Sequence, residues 1–432
     1  MYVKKLHIEN FRGIRNMELE LNPKMNVFIG INGAGKSSVL DALGYLLRPP
    51  VHLLSGRSSD EDEFASKDPE ANDFPDHEIH SGMQESRLGL TIATKGLEDY
   101  GWDLRSSNTQ LTKREGMGQN RTHLILFNAF HWHPYFIFGD EKNRSVSLIV
   151  YYNVHRQVID VLIDAWKDRN FRMQDAFIDA LAHKVDFKEF FEWFRNREDL
   201  ENEELAHKKN GHDIQLECVR KVIGTFCDAL KDVRVHRRDP LRMVVTKNNQ
   251  ELRIEQLSDG EKCLLAMVGD LARRMAIANP MLDDPLHGEG VVLIDEVDLH
   301  LHPQWQRMIL PRLMKTFPKC QFIVTTHSPQ ILGEVKSEYI IRLMDTGSEI
   351  EAIPANGETF GMTSNDILKT QMEASERNQN VHAMLEEAFS EIEYGNVDKA
   401  KELMVRLEET AEDIPELVRL DMRISLKEVT DK

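Results

Sequence analysis

MNVFIGINGAGKS, residues 25 to 37, runs a short apolar burst into a glycine-rich turn that ends on Lys36 and Ser37. The burst has the length of a buried strand, and GINGAGKS, residues 30 to 37, matches GxxxxGK(S/T). A strand that stops at such a turn and restarts as a helix points unpaired backbone N–H groups, at the positive end of the helix dipole, toward one spot, and a phosphate binds there. Gly30, Gly33 and Gly35, with Asn32, Ala34 and Ser38, are expected to wrap the phosphates. The Lys36 ammonium would neutralise the β and γ groups, and the Ser37 hydroxyl would ligate Mg²⁺.

On either side the pattern is that of a mixed α/β chain. YVKKLHIENF and MELELN alternate like strands. Residues 55 to 82 are polar, acidic and proline-dotted, and are expected to form a mobile loop. RLGLTIAT and YGWDLR are expected to pair as a hairpin, and SVSLIVYYN to form a central strand. From Val154 to Val235 apolar residues recur every three to four positions, so a helical lobe interrupts the sheet. LRMVVTKNNQELRIEQL restores alternation around a KNNQ turn. VVLIDE (strand), PQWQRMILPRLMKTF (helix), QFIVTTH (strand) and YIIRLMD (strand) then build a βαβ unit of a doubly wound sheet. Beyond Gly361 only helical stripes remain, broken at Gly395-Asn396 into an αα-hairpin whose two apolar faces need a further docking surface. The expected division is 1–153 and 241–360 for one head, 154–240 for an inserted helical lobe and 361–432 for a helical extension.

The 432 residues carry 54 Lys plus Arg against 72 Asp plus Glu, a net charge of −18, which disfavours nonspecific adhesion to nucleic acid and leaves only local patches for it. RVHRRDPLR, with Arg234, Arg237, Arg238 and Arg242, is the candidate patch. Cys218, Cys227, Cys263 and Cys320 have no paired spacing, which fits a reducing, cytoplasmic compartment without a zinc or disulfide framework. No signal peptide and no long apolar span is legible; LILFNAFHWHPYFIF, residues 124 to 138, is too short and polar to cross a membrane. His131 with His133, and His300 with His302, lack the third and fourth partners that a metal site needs.

VVLIDE, residues 291 to 296, places two carboxylates at the C-terminal end of a buried strand, where ligands bind in open α/β sheets. Asp295 is expected to serve Mg²⁺ and Glu296 to orient and deprotonate a water. His327, in TTHSP one βαβ unit later, is placed to meet the γ-phosphate. A second helix-opening turn, QLSDGEKCLLA at 256 to 266, has anion-binding character far from the first.

In this order GINGAGKS, LSDGE, VVLIDEVDLHLHP and TTHSP resemble the Walker A, signature, Walker B with D-loop, and switch-histidine motifs of ABC-class ATPases of the RecF/SMC/OLD branch. The resemblance implies an ABC-type P-loop head that dimerises around ATP and Mg²⁺. Ser258, Asp259, Gly260 and Glu261 of the signature, with Asp298 of the D-loop, would act on the nucleotide held by the partner copy. IENFRGI is similar to that branch's first strand, which implies that Arg12 reaches the nucleotide. Asp259 stands where transporters carry glycine, and no Q-loop is fixed; Gln157 is the candidate, and with it a further Mg²⁺ contact. The insert lacks the long heptads of SMC arms, and no nuclease module follows His327. YYNVHRQVID followed by FKEFFEWFRNREDLENE resembles the PtuA ATPases of Septu and related retron anti-phage systems. That resemblance implies a separate HNH nuclease (PtuB-like) as partner and no nuclease activity in this chain. A RecF-like repair ATPase that binds DNA directly and a nucleotide-dependent scaffold are the alternatives.

Overall fold

The computed structural model describes residues 1–56, 76–107, 123–125, 136–138, 145–154, 172–182, 187–207, 212–238, 241–347, 349–372, 377–411 and 414–430. They fall into two compact units, Met1–Met362 and Thr363–Lys432.

The first unit is built on two main sheets. Strands β1 (Tyr2–Phe11), β2 (Ile14–Glu20), β4 (Glu85–Ala93), β5 (Tyr100–Ser107) and β6 (His123–Ile125) form an antiparallel sheet ordered β2-β1-β4-β5-β6. β3 (Met25–Ile29) leaves it for a six-stranded sheet with β9 (Leu148–Tyr152), β13 (Gly290–Ile294), β14 (Cys320–Thr325), β15 (Ile340–Asp345) and β16 (Ile350–Pro354), ordered β16-β15-β3-β14-β13-β9. All its pairings are parallel except β15 with β16. The short β7 (Ile137–Phe138) and β8 (Ser145–Val146) pair beside β9. β10 (Leu230–His236), β11 (Arg242–Lys247) and β12 (Gln250–Arg253) make a third, antiparallel sheet. Asn248 and Asn249 take φ values of +51° and +62° between the last two, as a two-residue hairpin turn requires.

Helix Lys36–Leu54 packs against strands of both main sheets. Its Val39, Leu40, Leu43, Leu46 and Leu47 are therefore all buried, and Trp102 of β5 donates its indole N–H to the Leu46 carbonyl at 2.9 Å. Enclosure on both faces explains why the segment is apolar over most of its circumference rather than along one stripe.

Several expectations need correction. SVSLIVYYN is an edge strand of the six-stranded sheet, not a central one; its residues are buried because helices Lys36–Leu54 and Asp259–Ala278 and the turn Met173–Phe177 pack on it, and the Tyr151 N–H donates to the Ala180 carbonyl at 2.8 Å. MQDAFIDAL forms a 3-10 turn, Met173–Phe177, and then a strap along β9 instead of a helix. The 154–240 stretch holds helices Phe187–Ala206 and Ile214–Phe226 but ends in β10; both helices pack on helix Asp259–Ala278 within the same unit. Close packing is direct at Gly269, where an added Cβ would lie 3.1 Å from the Phe190 ring. VIDVLIDAW lies outside the described residues. Of the expected loop 55–82, residues 57–75 also lie outside them, but 76–82 dock on β1: the Arg12 and His80 N–H groups donate to Glu78 and Asn10 carbonyls at 2.6 and 2.8 Å.

In the second unit, helices Gln379–Tyr394 and Val397–Thr410 are joined through Gly395, whose φ of +85° suits glycine at a helix C-terminus. They are not a bare hairpin. A third helix, Pro415–Thr430, inserts Leu417, Leu420 and Ile424 beside Leu385, Ala388, Ile392, Leu403 and Leu407, so the stripes expected to need an outside surface find one within the unit. No helix among the described residues is long and apolar enough to cross a membrane.

Candidate nucleotide-binding site

The loop after β3 has the geometry its glycines promise. A Cβ at Gly30 would sit 2.4 Å from the Leu343 carbonyl oxygen, and Gly33 and Gly35 hold φ of +85° and +88°, a region that side-chain-bearing residues rarely enter. Gly35 caps helix Lys36–Leu54. Lys36 folds back over the loop, its ammonium donating to the Gly30 and Ile31 carbonyls at 2.9 Å each. Burial lowers its proton affinity, while Asp295, Glu296 and Asp298 pull it back up. Asn32, Gly33 and Ser37 are exposed, Ser38 is half-buried and Ala34 is buried.

Opposite stand the ends of β13 and β14. Asp295 is buried, and its N–H donates to the Tyr152 carbonyl at 2.8 Å. Its Oδ1 accepts the Thr325 hydroxyl at 2.5 Å, and the same hydroxyl oxygen accepts the Glu296 N–H at 2.7 Å. Glu296 has a φ of +46°, a strained conformation for a residue with a side chain, and it is half-buried. One residue on, the Thr326 hydroxyl donates to Asp298 Oδ1 at 2.6 Å. His327 follows; burial lowers its proton affinity first and Lys36 second, with Asp298, Glu296 and Asp295 opposing. The structure thus brings Lys36, Asp295, Glu296, Asp298 and His327 into mutual electrostatic reach. Thr325 and Thr326 went unread in TTHSP; two hydroxyls closing a buried strand beside an acidic strand end were the available signal.

The second turn is also ordered. Ser258 caps helix Asp259–Ala278, its Oγ accepting the Glu261 N–H at 3.4 Å while Glu261 Oε2 accepts the Ser258 N–H and hydroxyl at 3.1 and 2.8 Å. This reciprocal box satisfies donors at the helix start. Burial alone would raise the Glu261 pKa, but hydrogen bonds from Lys247, at 2.7 Å, and Ser258 outweigh it and hold the carboxyl below its usual range. Asp259 is exposed beside Lys262. A Cβ at Gly260 would lie 2.4 Å from the His300 carbonyl oxygen, so the turn rests on the backbone that follows Asp298. Further along the helix, Asp270 accepts from Tyr152 at 2.9 Å, Arg273 at 2.7 Å and Arg274 at 2.7 Å in the buried interior, and Arg274 also donates to the Ala176 and Ile178 carbonyls. Helix and β9 are tied through that carboxylate, and the strap through Arg274.

Several of the remaining expected residues have partners of their own. The Arg12 guanidinium is held by Glu78 and, at 2.6 Å, by Asp41, which also accepts the Tyr151 hydroxyl at 2.8 Å. Arg234 pairs with Asp232 and Glu251, and Arg237 with Glu198 and Asp199 at 2.9 and 2.6 Å; Arg238 is exposed. His302 caps helix Pro303–Thr316, its Nδ1 accepting the Gln304 N–H at 3.3 Å. Gln157, His131 and His133 lie outside the described residues.

A family model described as "AAA domain, putative AbiEii toxin, Type IV TA system" matches residues 25–333, from β3 through the turn after His327. The chain belongs to this family. The match encloses the glycine loop, the signature turn, the paired acids and the histidine. The chain is 30% identical to "Retron Vc95 probable ATPase" of Vibrio cholerae, over 87% of this chain and 81% of that one. It is 29% identical to "Retron Ec83 probable ATPase" of Escherichia coli, over 87% and 77%. "Septu protein PtuA" of Bacillus thuringiensis matches at 24% identity over 91% of this chain and 89% of the relative.

Proposed function

We propose that the chain is the ATP-hydrolysing subunit of an anti-phage defence complex, in which two copies close around ATP and control a separate HNH nuclease. The observation that carries the reading is the convergence of Asp295, Glu296 and His327 on Lys36, with the Ser258–Gly260 turn resting on the D-loop backbone of the same chain. Likeness to retron and Septu proteins over most of the chain supports the biological setting.

The residues present fit a Mg²⁺–triphosphate: a backbone cradle, a folded-back ammonium, an exposed hydroxyl on Ser37 and a buried carboxylate on Asp295. Ser37 and Asp295 would hold Mg²⁺, which when bound screens the phosphate charge. Lys36 would exchange its loop carbonyls for phosphate oxygens. Glu296 would orient and deprotonate the attacking water, and His327, kept neutral by burial and Lys36, would donate a hydrogen bond to the γ-phosphate. Ser258, Asp259, Gly260, Glu261 and Asp298 would complete the partner copy's pocket. In this reading residues 1–153 and 241–360 form the head, 154–240 its insert, and 361–432 an extension that contacts oligomer or effector.

The DNA-binding alternative has less support, since Arg234 and Arg237 already hold carboxylates. The test is co-purification from the native operon with mass measurement. A complex of paired copies with an HNH nuclease is expected; a chain that purifies alone, as a monomer with ATP present, would overturn the proposal.

A further inference from the structure

We infer that Thr325 is a positioning residue for ATP hydrolysis, a bracket that sets the metal-side carboxylate and the general base relative to each other. The inference rests on the ATPase reading of the site and assigns a part to the first residue of TTHSP, a side chain to which the motif resemblance gives no role.

Thr325 is the last residue of β14 and fully buried. A buried hydroxyl has one proton to give and lone pairs to offer, and costs stability unless both capacities are used. Here both are used on the adjacent strand end. The proton goes to Asp295 Oδ1 at 2.5 Å, and a lone pair takes the Glu296 N–H at 2.7 Å. The first bond is charge-assisted and fixes the rotamer of the carboxylate. The second fixes the peptide plane from which the Glu296 side chain departs, at a φ of +46° that the chain would otherwise relax. The Val297 N–H bonds to the Thr325 carbonyl at 3.0 Å, so side chain and backbone of one residue hold three successive positions of the acidic strand end. His327 lies two residues further along the same segment.

The sequence of side chains matters chemically. Valine has the same shape as threonine but neither donates nor accepts, so it removes the hydroxyl's bonds to the Glu296 N–H and to Asp295 Oδ1. Serine keeps the hydroxyl. Loss of a hydrogen bond to a charged group is worth about tenfold to a hundredfold in the quantity it positions.

The experiment compares wild type, Thr325→Val, Thr325→Ser and Glu296→Gln in the full chain. Hydrogen exchange in nucleotide-free protein is followed on peptides covering residues 290 to 299, calorimetry measures ATP binding with and without Mg²⁺, and turnover is measured against ATP and Mg²⁺. Thr325→Val is expected to speed exchange at the Glu296 amide, to reduce the gain in ATP affinity that Mg²⁺ confers, and to lower kcat by roughly tenfold or more with KM for ATP little changed. Thr325→Ser should restore all three. A valine variant that matches wild type in exchange and in Mg²⁺ dependence, while Glu296→Gln is inactive, overturns the bracket and leaves the ATPase reading standing. Wild-type turnover by Glu296→Gln overturns the site reading and the bracket with it.

Discussion

Gly260 faces the His300 carbonyl so closely that a single methyl group at Gly260 would come within 2.4 Å of it. Two stretches separated by some forty residues of chain, the signature turn and the end of the D-loop, are thereby held as one surface. Gly260→Ala forces the two backbones apart, and overpacking of this kind costs about 1–3 kcal/mol. The expected outcome is a lower Tm together with loss of ATP-dependent association, read by calorimetry and by mass measurement. An alanine variant with unchanged melting and association would show that the contact is slack.

Asp270 makes a stability prediction with a definite pH sense. Burial alone would raise its pKa, yet Arg274 and Arg273 outweigh that and bring it to about 2, below the usual carboxylate range. A carboxyl whose folded pKa is depressed contributes stability that is fully present above its unfolded pKa, near 4, and is lost as pH falls through the folded value. Denaturant titrations should therefore show this contribution disappearing between about pH 4 and pH 2. Asp270→Asn leaves two buried guanidinium groups without their carboxylate, a change that costs about 3–5 kcal/mol at neutral pH. The variant's stability should also vary less with pH across that acid window; equal stability at pH 7 would contradict the account of the network.

Leu420 tests whether the C-terminal unit depends on its third helix. It is fully buried against the helices joined through Gly395. Leu420→Ala should cost about 2–5 kcal/mol in that unit. Limited proteolysis is expected to cut faster within residues 377–430 while the melting of the first unit stays in place. Protection equal to wild type would mean that the first two helices suffice.

Much of this was legible wherever local chemistry decides structure. The glycine loop, the Asn248-Asn249 turn, the Ser258 cap with Glu261, and the acids at the end of an apolar strand each announce themselves within a few residues. What was illegible depends on distant partners. The apolar run Leu148–Tyr152 reads equally as a central strand or as an enclosed edge, and only the strand order of the whole sheet decides. The 3.6-residue spacing of MQDAFIDAL is overridden by tertiary contacts, among them the Arg274 bonds to the Ala176 and Ile178 carbonyls. The pairing of Arg12 with Glu78 was illegible because Glu78 lies in a stretch whose composition suggests mobility. Thr325 was invisible because its partners are some thirty residues back in the chain, and no spacing rule joins them.

The central claim is that two copies share each nucleotide, and Glu296→Gln tests it most directly. If Glu296 is the proposed general base, its loss should slow hydrolysis by about a hundredfold or more while leaving the cradle and Lys36 intact, so ATP stays bound. Mass measurement of this variant with ATP and Mg²⁺ should then show paired copies that separate when ATP is withheld. A variant that binds ATP and remains at the mass of a single chain would contradict the account.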